Sequence, residues 1–270
     1  MNVKTHHYHM NYLKSKTNQN FSFNFFSSKY YLLKFEKVSL VPHSWAHSAQ
    51  INITNQCPEV ISACQSNQSG IVTCYALAAG TGSQLIDVGT TWLGGLIWGY
   101  PGSSANPIDG NNAKPQADLA EITINGFSNT DSYDLSNVNA YNLGLLINPT
   151  TIAPPGNRSG LECGTPSCTI NNITSFCTPP NTLTSTPGDG CFNVNGTGTT
   201  PTSGTEAFDT ACPEAISYSN DTTGKVYACP TGSNYEVVFC PENTILQMNK
   251  KNIAAEMRPV YPIKPNAMNA

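Results

Sequence analysis

Ten cysteines constrain this chain more than any other feature, because all of them fall between Cys57 and Cys240. An even number of cysteines confined to one region is typical of a disulfide framework, although spacing alone does not give the pairing. Disulfides persist in oxidising compartments such as the extracellular space. A metal site is disfavoured because no CxxC pair occurs and every histidine precedes the first cysteine. We therefore expect a secreted domain without metal or cofactor.

The composition favours an all-β fold. Only 11% of the residues are charged, whereas 21 are glycine and 19 are proline. This composition is typical of short strands joined by many turns. With 270 residues, the chain is long enough for one large all-β domain or two small ones.

The charge is distributed unevenly along the chain. Residues 51–241 contain two lysines and one arginine, but fourteen aspartates and glutamates. An acidic domain of this kind repels the phosphates of nucleic acids and anionic membrane surfaces. We therefore expect neither nucleic acid nor a membrane as partner, and we expect a monomer.

Residues 1–50 differ from the rest, since they are basic and rich in aromatic residues. Lysines interrupt every apolar run, so no segment there reads as a signal peptide or a membrane span. Residues 46–49 nevertheless resemble the small-residue end of a cleavage site. Our hypothesis is that a true signal sequence upstream has been replaced or corrupted. The rival hypothesis is a disordered basic tail on an intracellular protein. The cysteines favour the first. Residues 242–270 are expected to form a loose polar tail.

Six Asn-x-Ser/Thr sequons agree with an extracellular location, since such sites are glycosylated in secreted proteins. Sequons also arise by chance in a chain this rich in Asn and Thr. The predicted glycosylation sites are Asn52, Asn67, Asn157, Asn172, Asn195 and Asn220.

The most informative stretch is Lys114–Pro149, which contains the segments DLAEITI and TDSYDLSNVNAYNLGLL. Glu121 lies inside a predicted strand, where a charged side chain is unusual and requires an explanation. Carboxylates, tyrosines and amides follow it closely. Side chains of these types hold a sugar ring by hydrogen bonding and stacking.

These segments resemble the thaumatin family's LAEF…DFYDVS…DGFN signature, and CPEAISYSNDTTGKVYACPTGSNYEVVFCP resembles the family's carboxy-terminal signature. The resemblance covers roughly residues 51–241. It implies a flattened antiparallel β-sandwich with a short, disulfide-stapled second domain, here a reduced excursion at about 150–206. The resemblance implies the disulfides Cys57–Cys240, Cys163–Cys229, Cys168–Cys212 and Cys177–Cys191. This leaves Cys64 and Cys74, which lie across one candidate hairpin and would pair with each other.

The resemblance also implies an acidic cleft, which in the family carries an Arg, a Glu and three Asp and is associated with binding, sometimes hydrolysing, β-1,3-glucans. The Glu matches Glu121 and the first Asp matches Asp134. The Arg position holds Leu96, the second Asp is Asn139, and the third falls on Thr222, preceded by Asp221.

Binding is thus favoured over turnover. We expect a secreted, pathogenesis-related type of protein that binds cell-wall β-1,3-glucan and has a defence, antifungal or cell-wall role. The predicted contact residues are Asn139, Asp221, Asp131, Tyr133 and Tyr141.

Two alternatives stay open. The first is a weak endo-β-1,3-glucanase with Glu121 as acid and Asp134 as base or nucleophile. The second is a secreted structural or effector protein that has lost the cleft. In the latter case Glu121 would be a solvated strand residue, and Asp131 and Asp134 would cap turns.

Overall fold

The structure is a computed structural model that describes residues 48–103, 115–154, 162–184 and 190–241. The predicted amino-terminal extension lies outside the described residues except for 48–50. The predicted carboxy-terminal tail and the sequon at Asn157 also lie outside them.

Short runs in which apolar residues alternate with polar ones form most of the strands. In the first, AQINITN, the side chains of Ala49, Ile51 and Ile53 are buried and the residues between them are not. This period of two is that of a strand with one face on the core. The strands are β1 (Ala49–Asn55), β2 (Ile61–Ser66), β3 (Thr73–Leu77), β4 (Ser83–Gly89), β5 (Trp92–Pro101), β6 (Leu119–Ile124), β7 (Thr130–Ser136), β8 (Ala140–Tyr141), β9 (Leu145–Thr151), β10 (Ser167–Cys168), β11 (Thr182–Thr184), β12 (Gly190–Phe192), β13 (Ala215–Ile216), β14 (Tyr227–Pro230) and β15 (Asn234–Phe239).

Two large sheets enclose the main core. One has the order β10-β9-β15-β1-β4; the other has the order β13-β7-β6-β5-β2-β3, with β14 also paired to β7. Ile53 of the first sheet and Ile122 of the second are fully buried in one cluster. A Cβ on Gly99 of β5 would lie 2.7 Å from the ring of Phe239 on β15, so the sheets need a glycine where they approach closely.

The excursion after β9 carries the remaining elements except β8, which precedes β9 but pairs with β12. A three-stranded sheet, β11-β12-β8, is accompanied by two helices, α1 (Ile173–Phe176) and α2 (Ser203–Ala211). Thr202 and Thr205 form a capping box at the start of α2. Its buried Phe208 packs edge-on against Phe176 at a centroid distance of 5.0 Å. The excursion therefore has apolar contacts of its own besides its disulfides.

Five disulfides close the fold: the four pairs that the family resemblance implies, and the pair expected for the two remaining cysteines. One joins the loop after β1 to the end of β15, a second joins opposed residues of the β2–β3 hairpin, and three hold the excursion. They are Cys57–Cys240, Cys64–Cys74, Cys163–Cys229, Cys168–Cys212 and Cys177–Cys191.

The all-β fold class is confirmed. Most strand pairs are antiparallel, but β1 pairs in parallel with β15, and β13 with β7. In the parts of the chain that the structure describes, the helices are too short and too polar to cross a membrane.

Candidate functional site: an acidic cleft

The outer face of the larger sheet carries a row of three neighbouring side chains. Strand register places Leu96 of β5 beside Glu121 of β6, and Glu121 beside Asp134 of β7. Side chains alternate across a strand, so these three face away from the main core, to which Ile97, Ile122 and Tyr133 belong. Directly opposed residues of antiparallel strands have their Cβ atoms roughly 4.5–5.5 Å apart. The two carboxyl groups are therefore immediate neighbours.

Glu121 and Asp134 of this row lie at the floor of a cleft of about 310 Å³, whereas Leu96 does not line it. The floor comes from β6 and β7, and the walls come from residues 138–139 and 216–226. The side chains around the two carboxylates are apolar or neutral and polar. The cleft is lined by Leu119, Glu121, Asp134, Ser136, Val138, Asn139, Ile216, Ser219, Thr222 and Val226.

The reduced excursion supports the walls of this cleft from behind. The buried side-chain amide of Asn193 donates hydrogen bonds to the carbonyls of Asn137, at 3.0 Å, and Ser217, at 2.7 Å. The amide of Ser219 donates to the carbonyl of Gly196 at 3.1 Å. The loop after β12 thus connects the two walls, although its sequence lacks the cysteines that the family resemblance would place there.

Asp134 has an unusual environment for a carboxylate. Its Oδ1 atom is buried and has no hydrogen-bond partner among the described residues. Desolvation by burial, followed by the negative charge of Glu121, raises the pKa of Asp134 well above its ordinary value of 3.8. A protonated Asp134 beside Glu121 would relieve the repulsion and could itself donate a hydrogen bond.

Asp134 should therefore destabilise the protein at neutral pH. Because its folded-state pKa is raised, its favourable contribution is complete below pH 3.8 and is lost as the pH rises through the folded-state pKa. We expect Asp134→Asn, which removes the charge but keeps a polar side chain, to increase the free energy of unfolding at pH 7 by at least about 1.4 kcal/mol, the energy of a tenfold change in proton affinity, and by little at pH 3. Urea unfolding at both pH values measures this difference.

The control for this prediction is Glu59→Gln, which removes a charge from an exposed loop position and should change stability by less than about 0.5 kcal/mol at either pH. A gain from Asp134→Asn that is as large at pH 3 as at pH 7 would contradict the electrostatic explanation.

Of the other predicted contact residues, Asn139 lines the cleft, but Asp131, Tyr133 and Tyr141 do not. Asp131 and Tyr133 lie on the core face of β7, because they are separated from Asp134 by odd numbers of residues. Asp131 accepts a hydrogen bond from Tyr235, and Tyr133 donates one to the carbonyl of Gly164 at 2.6 Å.

Tyr141 is also buried, and its hydroxyl accepts a hydrogen bond from the amide of Ile170 at 2.7 Å. Its ring is covered by the excursion. The prediction that these three residues contact a ligand is therefore corrected: their side chains pack in the interior.

Asp221 likewise lies outside the cleft. Its Oδ2 accepts hydrogen bonds from the amide and hydroxyl of Ser217, both at 2.9 Å, and lies 2.5 Å from Nζ of Lys225. Its neighbour Thr222 lines the cleft instead. The position that the family fills with a third Asp thus carries a hydroxyl here, and the adjacent carboxylate serves a buried ion pair.

Sequence reasoning missed Ser136 and Ser219 as residues of the cleft. The signal for Ser136 was present, because it follows Asp134 by two residues on one strand and so shares its face. Ser219 lies in an irregular loop, and no periodicity could have indicated its position.

The predicted glycosylation sites within the described residues occupy different settings. Asn52 lies in β1, where its side chain bonds Thr54, whereas Asn220 is exposed in a loop. Asn172 caps α1 and Asn195 lies in a turn. Asn67 accepts hydrogen bonds from Ser69, the last residue of its own sequon. Their use stays a prediction.

The sheets, the disulfides and the cleft define a disulfide-stapled β-sandwich with an acidic surface cleft. The Thaumatin family model matches residues 55–241, and the chain belongs to this family. It is 30% identical over 245 residues to a thaumatin-like protein 1 of Pyrus pyrifolia, an alignment that covers 76% of this chain and 96% of that protein.

Two further proteins are similar to the chain. A protein of Prunus avium named glucan endo-1,3-beta-glucosidase is 29% identical over 245 residues, with 76% of this chain and 95% of that protein covered. Among solved structures, the thaumatin-like xylanase inhibitor TLXI aligns at 14% identity with a TM-score of 0.37, covering 71% of this chain and 99% of that one.

Proposed function

We propose that this thaumatin-like protein is secreted and binds cell-wall β-1,3-glucan in the acidic cleft. One observation carries the proposal: Glu121 and Asp134 lie side by side at the floor of one cleft whose walls present Asn139, Ser219 and Thr222. A defence role against fungi would follow from binding the glucan of a fungal wall.

The chemistry of the cleft suits a neutral polyhydroxylated ligand. Carboxylate oxygens accept hydrogen bonds from sugar hydroxyls, and such charge-assisted bonds are stronger than neutral ones. The amide of Asn139 can both donate and accept. Val226, which lines the cleft and is exposed, offers an apolar surface to the C–H face of a sugar ring. No Lys or Arg is among the described residues that line the cleft, so an anionic ligand is disfavoured.

Secretion is supported by the five disulfides, since such bonds are rare in reducing compartments. An intracellular protein of this kind would need another way to hold the excursion, whose strands and helices are short.

The test is co-sedimentation of the full-length, oxidised protein with insoluble β-1,3-glucan, next to Glu121→Gln/Asp134→Asn. Hydrogen bonds to charged groups contribute roughly 1.5–3 kcal/mol each. We expect the double variant to bind about 100-fold or more weakly, since about 1.4 kcal/mol corresponds to tenfold in affinity.

The matched control is Glu59→Gln/Glu206→Gln, which removes the same charge from exposed positions outside the cleft and should bind like the parent protein. Equal binding by both double variants would place the glucan elsewhere. If the parent protein binds no polysaccharide, the chain is a secreted structural or effector protein on the family's scaffold.

Hydrolysis of the glucan is the second candidate function, because two adjacent carboxyls with different environments are the groups that glycosidases use. The raised pKa of Asp134 assigns it the role of acid and leaves Glu121 as base or nucleophile, the reverse of the assignment made from sequence. Both groups come from neighbouring strands of one floor, whereas a glycosidase places them on either side of the scissile bond. We therefore rank binding first.

Release of reducing ends from a soluble β-1,3-glucan separates these two functions. We expect no release above that of Glu121→Gln. Turnover that Glu121→Gln and Asp134→Asn each abolish would establish the enzyme instead.

A further inference from the structure

A second and larger cavity, of about 540 Å³, lies at the opposite side of the larger sheet from the acidic cleft. We propose that this cavity, the edge groove, is an additional binding site for a neutral saccharide. It lies where the two large sheets end, because β3 is the last strand of one and β4 the last strand of the other. These two edge strands are not hydrogen-bonded to each other. The sandwich is therefore open between them.

The floor of the edge groove is apolar and rigid. Ile86 and Trp92 are buried in the main core, and Tyr75 and Val88 pack against it. The Cys64–Cys74 disulfide joins opposed residues of β2 and β3, so it fixes the hairpin that carries Tyr75. An apolar floor with an aromatic ring can pack against the C–H face of a sugar ring.

The rim of the edge groove combines two exposed apolar side chains, Ile71 and Leu85, with several kinds of hydrogen-bonding group. Gln65 and Asn67 provide amides, Thr73 and Thr91 provide hydroxyls, and Asp87 provides a carboxylate. The cavity volume is within the range of about 300–1,000 Å³ that is typical of small-molecule sites. An apolar floor with a rim of amides and hydroxyls fits a ligand that has one apolar face and many hydroxyl groups.

The charge of the groove disfavours anionic ligands. Hydrogen bonds from the hydroxyl of Ser48, and then from the amide of Gly89, lower the pKa of Asp87, so this carboxylate is ionised at neutral pH. No Lys or Arg is among the described residues that line the groove. Asp87 would repel a phosphate or another anion and no cation would offset this repulsion, whereas a sugar hydroxyl can donate to the carboxylate.

A saccharide can reach the groove in two ways. It can come from solution, or it can be attached to the chain, because Asn67 and Ser69 of one sequon both line the groove. The chemistry of recognition is the same in the two cases. The experiment separates them by using protein without glycans for one measurement and secreted protein for the other.

The first measurement uses full-length, oxidised, ¹⁵N-labelled protein without glycans, titrated with β-1,3-linked glucopentaose and, separately, with β-1,4-linked N-acetylglucosamine tetramer. We expect at least one of these probes to shift the amide signals of residues 65–75 and 85–92. Thr73→Lys, which places a long side chain at the rim, should weaken this binding at least tenfold. Ala76→Lys is the matched control, since it adds the same charge to the other face of β3 and does not line the groove.

A variant of the acidic cleft distinguishes binding in the groove from binding in the cleft. Glu121→Gln/Asp134→Asn should leave the titration of the groove signals unchanged, so this proposal can hold even if glucan binding in the cleft does not. In secreted protein that carries a glycan on Asn67, contacts between sugar protons and the ring of Tyr75 would identify the attached sugar as the ligand. If neither probe shifts the groove signals and the glycan makes no such contact, the proposal is wrong. It is equally wrong if Thr73→Lys and Ala76→Lys bind alike.

Discussion

Cys57→Ala/Cys240→Ala is expected to lower the free energy of unfolding by about 5 kcal/mol. The disulfide spans 183 residues, and by chain entropy a link across a loop of this length removes about that much conformational freedom from the unfolded state. It also joins the chain just after β1 to the end of β15, next to their parallel pairing. For a domain of this size the loss corresponds to a fall in Tm of roughly 10–20 °C.

Cys64→Ala/Cys74→Ala is the matched control, because it removes a disulfide that spans only 10 residues. Its expected cost is about 2.5–3 kcal/mol from the same relation. Thermal and urea unfolding of both variants under oxidising conditions measure the difference. If the two variants lose the same stability, chain entropy does not explain the effect, and the contribution of the long disulfide comes from local packing around Cys57.

The sequence was sufficient for the fold because its strongest signals are local and repeated. Each of the two signature blocks includes complete strands: Leu119–Ile124 and Thr130–Ser136 in the first, and Tyr227–Pro230 and Asn234–Phe239 in the second. Ten cysteines restrict the possible arrangements further. Helix α2 was not predicted, although Thr202 and Thr205 form its capping box, because a polar, threonine-rich segment indicates a loop by composition alone.

The candidate site was predicted less completely, and two of the errors, at Asp131 and Tyr133, have one physical origin. Asp131, Tyr133 and Asp134 are close in sequence, but a strand sends alternate side chains to opposite faces. Grouping them by proximity along the chain therefore placed two interior residues in the cleft. The apolar side chain of Leu135, which shares a strand face with Asp131 and Tyr133, was the sequence signal that could have separated these two residues from Asp134.

The role of Asp221 could not be read from the sequence, because its partners depend on the tertiary structure. Lys225 is close along the chain, but Asp209 belongs to α2, and the three groups meet only when this helix docks. From the sequence alone, a carboxylate next to a position of the family motif is therefore interpreted as a ligand contact. In the folded protein it is part of the support behind the cleft.

Lys225→Met is therefore the second substitution with a large expected effect. The lysine is only 7% exposed; its Nζ is paired with Asp209 and Asp221 and donates to the carbonyl of Ala215 at 3.0 Å. Methionine keeps the apolar stem but leaves Asp221 partly buried without a counter-charge. Removing one partner of a buried pair costs about 3–5 kcal/mol, and because Asp209 is half exposed we expect about 2–4 kcal/mol here.

The same substitution should weaken glucan binding, because residues 216–226 form one wall of the acidic cleft and Lys225 ties this segment to α2. The decisive comparison is Lys225→Met/Asp209→Asn/Asp221→Asn, which removes the carboxylate charges as well. Much of the cost of removing one partner of a buried ion cluster comes from the charge left uncompensated, and the triple variant leaves no such charge. The triple variant should thus recover most of the lost free energy of unfolding, measured with urea, and part of the lost affinity. If Lys225→Met unfolds within about 0.5 kcal/mol of the parent protein, the value typical of an ordinary surface substitution, the lysine does not hold the cleft wall.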